Sequence, residues 1–159
     1  MPRHMKAYFK TPPGAPEPVV LCQPRRVRFS EVDVMGVVWY GRYALYFEEG
    51  AAEIGRRCGL SYQDFYTARL RAPVVEYHVD YFESLYLDED FTIKTSLVWH
   101  EGSRINTEFS LLKANGQVAS SGYTVQLLTD IDGQVCLVSP PLLENCRRRW
   151  LKGEFHKLG

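Results

Sequence analysis

The chain has 159 residues, and its nineteen basic and nineteen acidic side chains cancel at neutral pH. That length fits one domain with one substantial core, and the balanced charge excludes a global electrostatic draw toward nucleic acid or an anionic membrane. With 45% hydrophobic and 24% charged residues the composition is that of an ordinary soluble globular protein.

No apolar run is long enough to span a bilayer, and the N-terminus lacks the continuous apolar stretch of a signal peptide. Cys22, Cys58, Cys136 and Cys146 show no CxxC or Cys/His spacing. Free thiols in a reducing cytoplasm are therefore expected, with neither a disulfide framework nor a metal site. Ten Tyr, eight Phe and three Trp suit strands and large hydrophobic contacts, including contacts between subunits.

Residues 1–23 read as an extended or mobile arm, because Thr11-Pro12-Pro13-Gly14-Ala15-Pro16-Glu17-Pro18 cannot form a helix or a central strand. Residues 24–151 read as the domain proper and 152–159 as a C-terminal tail. Arg26-Val27-Arg28-Phe29 alternates like a short strand. Ser30–Val38 carries the polar and glycine signals of a loop. From Trp39 to Cys58 the period changes: Tyr43, Tyr46, Phe47, Gly50, Ala51, Ile54 and Cys58 form one stripe of an amphipathic helix, and Gly59 ends it. Small Gly50 and Ala51 at the centre of the stripe would let that helix lie close to a sheet.

Residues 60–72 hold one short helix at most. Val74–Phe82 has strand composition, and Phe91, Ile93, Thr95, Leu97 and Trp99 alternate cleanly. After a turn at Glu101-Gly102, Ile105, Thr107, Phe109 and Leu111 alternate again. Asn115-Gly116 predicts a two-residue hairpin loop leading into a long strand over Val118–Thr129, with a further turn at Asp132-Gly133. Pro140-Pro141 opens a final helix near Trp150, and Arg147-Arg148-Arg149 reads as its positively charged last turn. One long central helix packed on a mainly antiparallel five-stranded sheet is an α+β architecture. A single helix covers one face, so the other face or an edge is expected to meet another subunit.

Chemistry concentrates between the first strand and the helix. Asp33 lies a few residues before the helix start, whose unpaired N–H groups and partial positive charge can stabilise the oxyanion formed when a thioester carbonyl is attacked. A carboxylate alongside could attack that carbonyl or deprotonate a water, and a thiol leaves readily. On residue type alone, an Asp before a helix is more often a turn or N-cap residue.

Asp33-Val34-Met35-Gly36-Val37-Val38-Trp39-Tyr40 resembles the D-x-x-G-[IV]-V-[WY] signature of the 4-hydroxybenzoyl-CoA thioesterase family of hotdog proteins. The similarity continues through Tyr43, Phe47-Glu48, Tyr81–Glu89 and Ser103-Arg104. It implies a hotdog fold that hydrolyses an acyl-CoA or acyl carrier protein thioester without cofactor or metal. It also implies Asp33 as nucleophile or general base and the backbone amide of Tyr40 as oxyanion donor. Gly36, Val38, Trp39 and Arg104 would contact substrate, at the interface of a dimer joined edge to edge, often within a tetramer. The turn that grips CoA phosphates in aroyl-CoA relatives corresponds to Glu101, Gly102 and Ser103, leaving only Arg104 and keeping a carrier-protein substrate open. A non-catalytic thioester-binding module is the alternative. A dehydratase or hydratase would require His78 or His100 beside Asp33.

Overall fold

A computed structural model of the chain describes residues 6–156 and 158. In chain order the elements are β1 (Val19–Arg26), α1 (Tyr43–Cys58), α2 (Tyr62–Thr67), β2 (Leu70–Arg71), β3 (Val74–Tyr81), β4 (Asp90–Val98), β5 (Arg104–Lys113), β6 (Val118–Leu127), β7 (Thr129–Asp130) and α3 (Pro141–Leu151). Five of the strands form one antiparallel sheet in the order β1-β4-β5-β6-β3, while β2 and β7 pair separately. Among the described residues no helix is long and apolar enough to cross a membrane.

The long helix follows from its apolar spacing. Tyr43, Tyr46, Phe47, Gly50, Ile54 and Cys58 are buried, and the helix stops at Gly59, whose φ of 75° is the left-handed C-cap that glycine adopts without strain. Gly50 sets the distance to the sheet. A Cβ there would overlap Thr95 Oγ1 and lie 3.1 Å from Ile93 Cγ2, so only a bare backbone fits. Below the helix, Phe47 stacks on Phe109 with ring centroids 4.6 Å apart, and Phe91, Ile93, Thr95, Leu111 and Ala119 complete the layer. Farther along the helix, Ile54 and Cys58 join Leu97, Ile105, Leu128 and α3 through Leu143, Cys146 and Trp150.

Several boundaries differ from expectation. The first strand runs over Val19–Arg26 rather than Arg26–Phe29, and Phe29–Glu31 is a 3-10 turn. β1 includes Pro24, which is tolerated because β1 is an edge strand. The hairpin at Asn115-Gly116 has a three-residue loop, closed by Gly116 N donating to Lys113 O and Lys113 N to Gln117 O. The long strand after it breaks at Leu128, separating β6 from β7. Arg147 is not a solvated helix-end charge. It is buried and donates to Ser139 Oγ (2.9 Å), Glu144 Oε1 (2.8 Å) and the carbonyls of Glu101 and Gly102, clamping that turn onto α3.

Both ends of the chain are held. On the sheet face away from α1, the Tyr8 hydroxyl hydrogen-bonds Asp80 (2.8 Å) and Ser121 (2.6 Å), and the amides of Tyr8 and Phe9 donate to Glu108. The rings of Tyr8 and Phe9 pack on Tyr123. The chain thus covers part of the face expected to await another subunit. At the other end Phe155 and Leu158 are buried in the α3 layer, and Arg57 donates to the Leu158 carbonyl.

Candidate active site

The segment from Glu31 to Trp39 is a small hairpin. Trp39 N donates to Glu31 O (3.0 Å), Val32 bridges Val38, and Asp33 N donates to Val37 O (2.9 Å). Its tip closes with Gly36 N donating to Asp33 O (3.0 Å), with Gly36 at φ 75°. Asp33 Oδ1 accepts from Met35 N at 2.8 Å. The same construction recurs at Asp130–Gly133, where Asp130 Oδ1 accepts from Asp132 N at 2.9 Å and Gly133 has φ 86°. One oxygen of Asp33 therefore shapes the turn, as an Asp does at such a position in any protein. The turn bond leaves Oδ2 as the oxygen that can face a reactant.

The hairpin is fixed to the domain at its base and flank. Val38 N donates to Leu85 O (2.8 Å), Leu87 N to Gly36 O (3.0 Å), and Val37 bridges Tyr86. Beneath it lies a charge cluster that sequence reading missed. The Arg25 guanidinium contacts Glu31 (2.6 Å) and Glu49 of α1 (2.9 Å) and rests 5.2 Å from the Tyr46 ring. Burial pushes the Glu31 carboxyl upward, but the Arg28 amide and the Arg25 guanidinium outweigh it, and the group ends below its ordinary value. Nothing in the local pattern signals this cluster, because its members come from a strand, a turn and a helix.

Immediately after the hairpin, Tyr40–Arg42 forms a 3-10 turn that runs into α1. The amides of Tyr40 and Gly41 open this helical stretch and have no acceptor within it. Among the described residues neither donates to another backbone carbonyl. Trp39 lies over Gly41 so closely that a Cβ there would overlap the indole. The Tyr40 carbonyl accepts from Tyr81 Oη (3.0 Å), and the Tyr81 ring packs edge-on against Tyr43 at 4.9 Å. Tyr81, read from sequence as sheet packing, thus also fixes the peptide at the helix start.

Asp33, Gly36, Trp39 and Tyr40 therefore share one short structure at the N-terminal end of α1. Around it Val34, Met35, Trp39, Tyr40, Tyr86 and Leu87 expose large apolar surface. Val38 differs, since its side chain is 5% exposed and belongs to the core, leaving only its backbone for a ligand. Arg104 lies elsewhere. It begins β5 and donates to Asn106 (3.0 Å), whereas the hairpin abuts the end of that strand, where Lys113 donates to the Ser84 carbonyl. Within one copy the length of β5, about 30 Å for ten residues, separates them. His78 stacks with Tyr123 on the face away from α1, and His100 accepts from Gly102 N. Neither histidine contacts Asp33 within the described chain.

A long helix over a five-stranded antiparallel sheet, entered through this hairpin, is the hotdog fold of the acyl-CoA thioesterases. The chain belongs to the thioesterase-like superfamily, whose family model matches residues 27–146. It is 22% identical over 104 residues to the candidate acyl-CoA thioesterase YneP of Bacillus subtilis (strain 168), covering 65% of this chain and 75% of that one. Among solved structures it resembles the DHNA-CoA thioesterase of Staphylococcus aureus (TM-score 0.73, 22% identity, 88% of this chain and 97% of that one). It also resembles SAV2348 of Staphylococcus aureus, solved in complex with CoA (TM-score 0.74, 16% identity, 89% of each chain). The protein is a thioesterase, and acyl-CoA thioester hydrolysis is the activity of its family.

Proposed function

We propose that this chain hydrolyses an acyl-CoA thioester with Asp33 as the catalytic carboxylate and the Tyr40 amide as the principal oxyanion donor. The observation that carries the reading is the Glu31–Tyr40 unit, which joins a carboxylate with one uncommitted oxygen to a helix start with unpaired amides. Water adds across the thioester carbonyl and the C–S bond breaks, giving the free acid and CoA thiol. Asp33 either takes the proton of the attacking water or attacks first to form an acyl anhydride that water then cleaves. In both routes the charge on the carbonyl oxygen develops at the helix N-terminus. The exposed rings of Trp39 and Tyr40, 5.0 Å apart, form an apolar wall for the thioester.

The unit lies open in one copy, and a second copy would close it. β3 is an edge strand with Val74, Val75, Tyr77 and Tyr81 exposed. Two copies joined antiparallel through β3 about a two-fold axis would continue the sheet and place two α1 helices side by side. Arg104 of the second copy would then lie at the end of the sheet that carries Asp33.

The decisive variant is Asp33→Asn, since an Asn oxygen can still accept from Met35 N and keep the turn while the charge is lost. Free-thiol release from an acyl-CoA panel should fall by roughly 10²–10⁴-fold with unchanged folding. Wild-type turnover in that variant would overturn the assignment. Single turnover in heavy-oxygen water separates the routes, because only anhydride formation transfers an Asp33 oxygen into the first product. Activity on acyl carrier protein but not on CoA thioesters would reassign the carrier.

A further inference from the structure

A cavity of about 830 Å³ lies under the C-terminal half of α1, at the opposite end of that helix from Asp33. Its volume is near the upper end of the ~300–1,000 Å³ range of small-molecule sites. Ala51 and Ala52 of α1 leave the space open, Phe65 and Tyr66 of α2 wall it, and Leu97 and Ile105 of the sheet floor it. Nothing in the hairpin unit reaches it, so catalysis as described leaves the cavity unused within one copy.

Its place relative to β3 gives it a role. α1 runs antiparallel to β3: Tyr43 meets Tyr81 at the end of the strand, and Phe47 meets Tyr77 before it. The cavity is lined by Ala72 and Pro73, just before Val74 opens the same strand. In two copies paired antiparallel through β3, the start of one strand faces the end of the other. The cavity mouth of one copy then adjoins Tyr81, Tyr40 and Asp33 of the second.

We infer that this cavity is the compartment for the acyl chain of the substrate, and that each copy serves the catalytic carboxylate of the other. The occupant is an apolar acyl chain of medium or greater length, matched to an apolar lining much larger than an acetyl group needs. Ala51 and Ala52, the small residues of α1 that face the space, set how long a chain it accepts. The inference rests on the proposed thioesterase site.

The test fills the cavity with Ala52→Trp and, more gently, Ala52→Leu. The ratio of kcat/KM for decanoyl-CoA to that for acetyl-CoA should fall by at least tenfold in Ala52→Trp and less in Ala52→Leu. Each methylene denied its place costs about fourfold. Equal loss on both substrates, or none, overturns the inference. A hybrid of one Ala52→Trp copy and one Asp33→Ala copy, purified through two different tags, decides which copy serves which. The Asp33→Ala copy supplies an open cavity to the intact Asp33 of its neighbour, so decanoyl-CoA hydrolysis returns although each parent alone lacks it. A hybrid as inactive as its parents refutes service between copies. Should the wild type cleave no thioester at all, the hydrolase reading fails on its own. The cavity is then judged by a dansyl-labelled undecanoic acid: binding by wild type and loss in Ala52→Trp sustain the apolar chain site, and no binding by wild type removes it.

Discussion

Replacing Arg25 by Met would remove the cation that ties β1 to the turn before the hairpin and to α1. The guanidinium makes contacts of 2.6 and 3.3 Å to Glu31 and of 2.9 and 3.0 Å to Glu49. The side chains of Arg25 and Glu31 are only 10% and 11% exposed, while that of Glu49 is 43% exposed. Breaking a buried pair from one side costs about 3–5 kcal/mol, because the remaining charge is left without compensation. Glu49 can rehydrate and Glu31 keeps the Arg28 amide at 2.8 Å, so the lower end, about 3 kcal/mol, is expected. With an m-value near ~2 kcal/mol/M, the urea midpoint at pH 7 should fall by about 1.5 M. The Glu31 carboxyl lies below its unfolded value, near ~4.3. Its contribution is therefore fully present above that pH and is lost as pH falls through the folded value. The gap between wild type and variant should narrow on acidification, and adding Glu31→Gln to the variant should recover most of the loss at pH 7. Urea unfolding followed by tryptophan fluorescence at pH 7 and pH 4 measures all three effects. A variant within ~0.5 kcal/mol of wild type at pH 7, or a gap that does not change with pH, would refute the reasoning.

Two further outcomes follow from the packing. Gly50→Ala should destabilise the protein by about 1–2 kcal/mol, since overpacking against Thr95 and Ile93 outweighs the ~1 kcal/mol of helix propensity gained, and Thr95→Ala in the same chain should relieve it. Thermal or urea unfolding of the three proteins checks this. Tyr8→Phe should cost about 1–2 kcal/mol by leaving the buried Ser121 hydroxyl without its partner, and should speed amide exchange in residues 6–10. Burial, with Asp80 adding to it against the opposing Ser121 bond, raises the Tyr8 phenol to about 12. The unfolded chain therefore ionises first, and Tyr8→Phe removes part of the stability lost between about pH 10 and 12.

The elements that announce themselves in the sequence are those whose burial repeats with a fixed period. The stripe from Tyr43 to Cys58 and the alternations through Phe91–Leu97 and Ile105–Leu111 each face one packed surface, so spacing alone finds them. β1 was displaced because Pro24 and the prolines before Val19 read as breakers, and only sheet order reveals that the strand lies at an edge. Arg147 was misjudged because its partners are the turn at Glu101-Gly102 and Ser139, outside its own helical turn. The Asp33 turn was legible as a motif, and Val38 within it was not, because the same motif residue can face a ligand or the core. The Arg25 cluster, the anchoring of Tyr8 and the cavity all arise from residues far apart in the chain.

The two edges of the sheet are unlike. β1 carries Pro24, which lacks a backbone donor, and Arg26, held by Asp90 at 2.8 Å beside it. β3 presents valines and tyrosines along an exposed edge. An edge of the first kind resists addition of another strand, and an edge of the second kind accepts one. A sheet built this way has a single sticky end. Once two copies meet through it, both outward ends are of the resistant kind, so growth along the sheet stops at two and a fibre cannot propagate from the native fold.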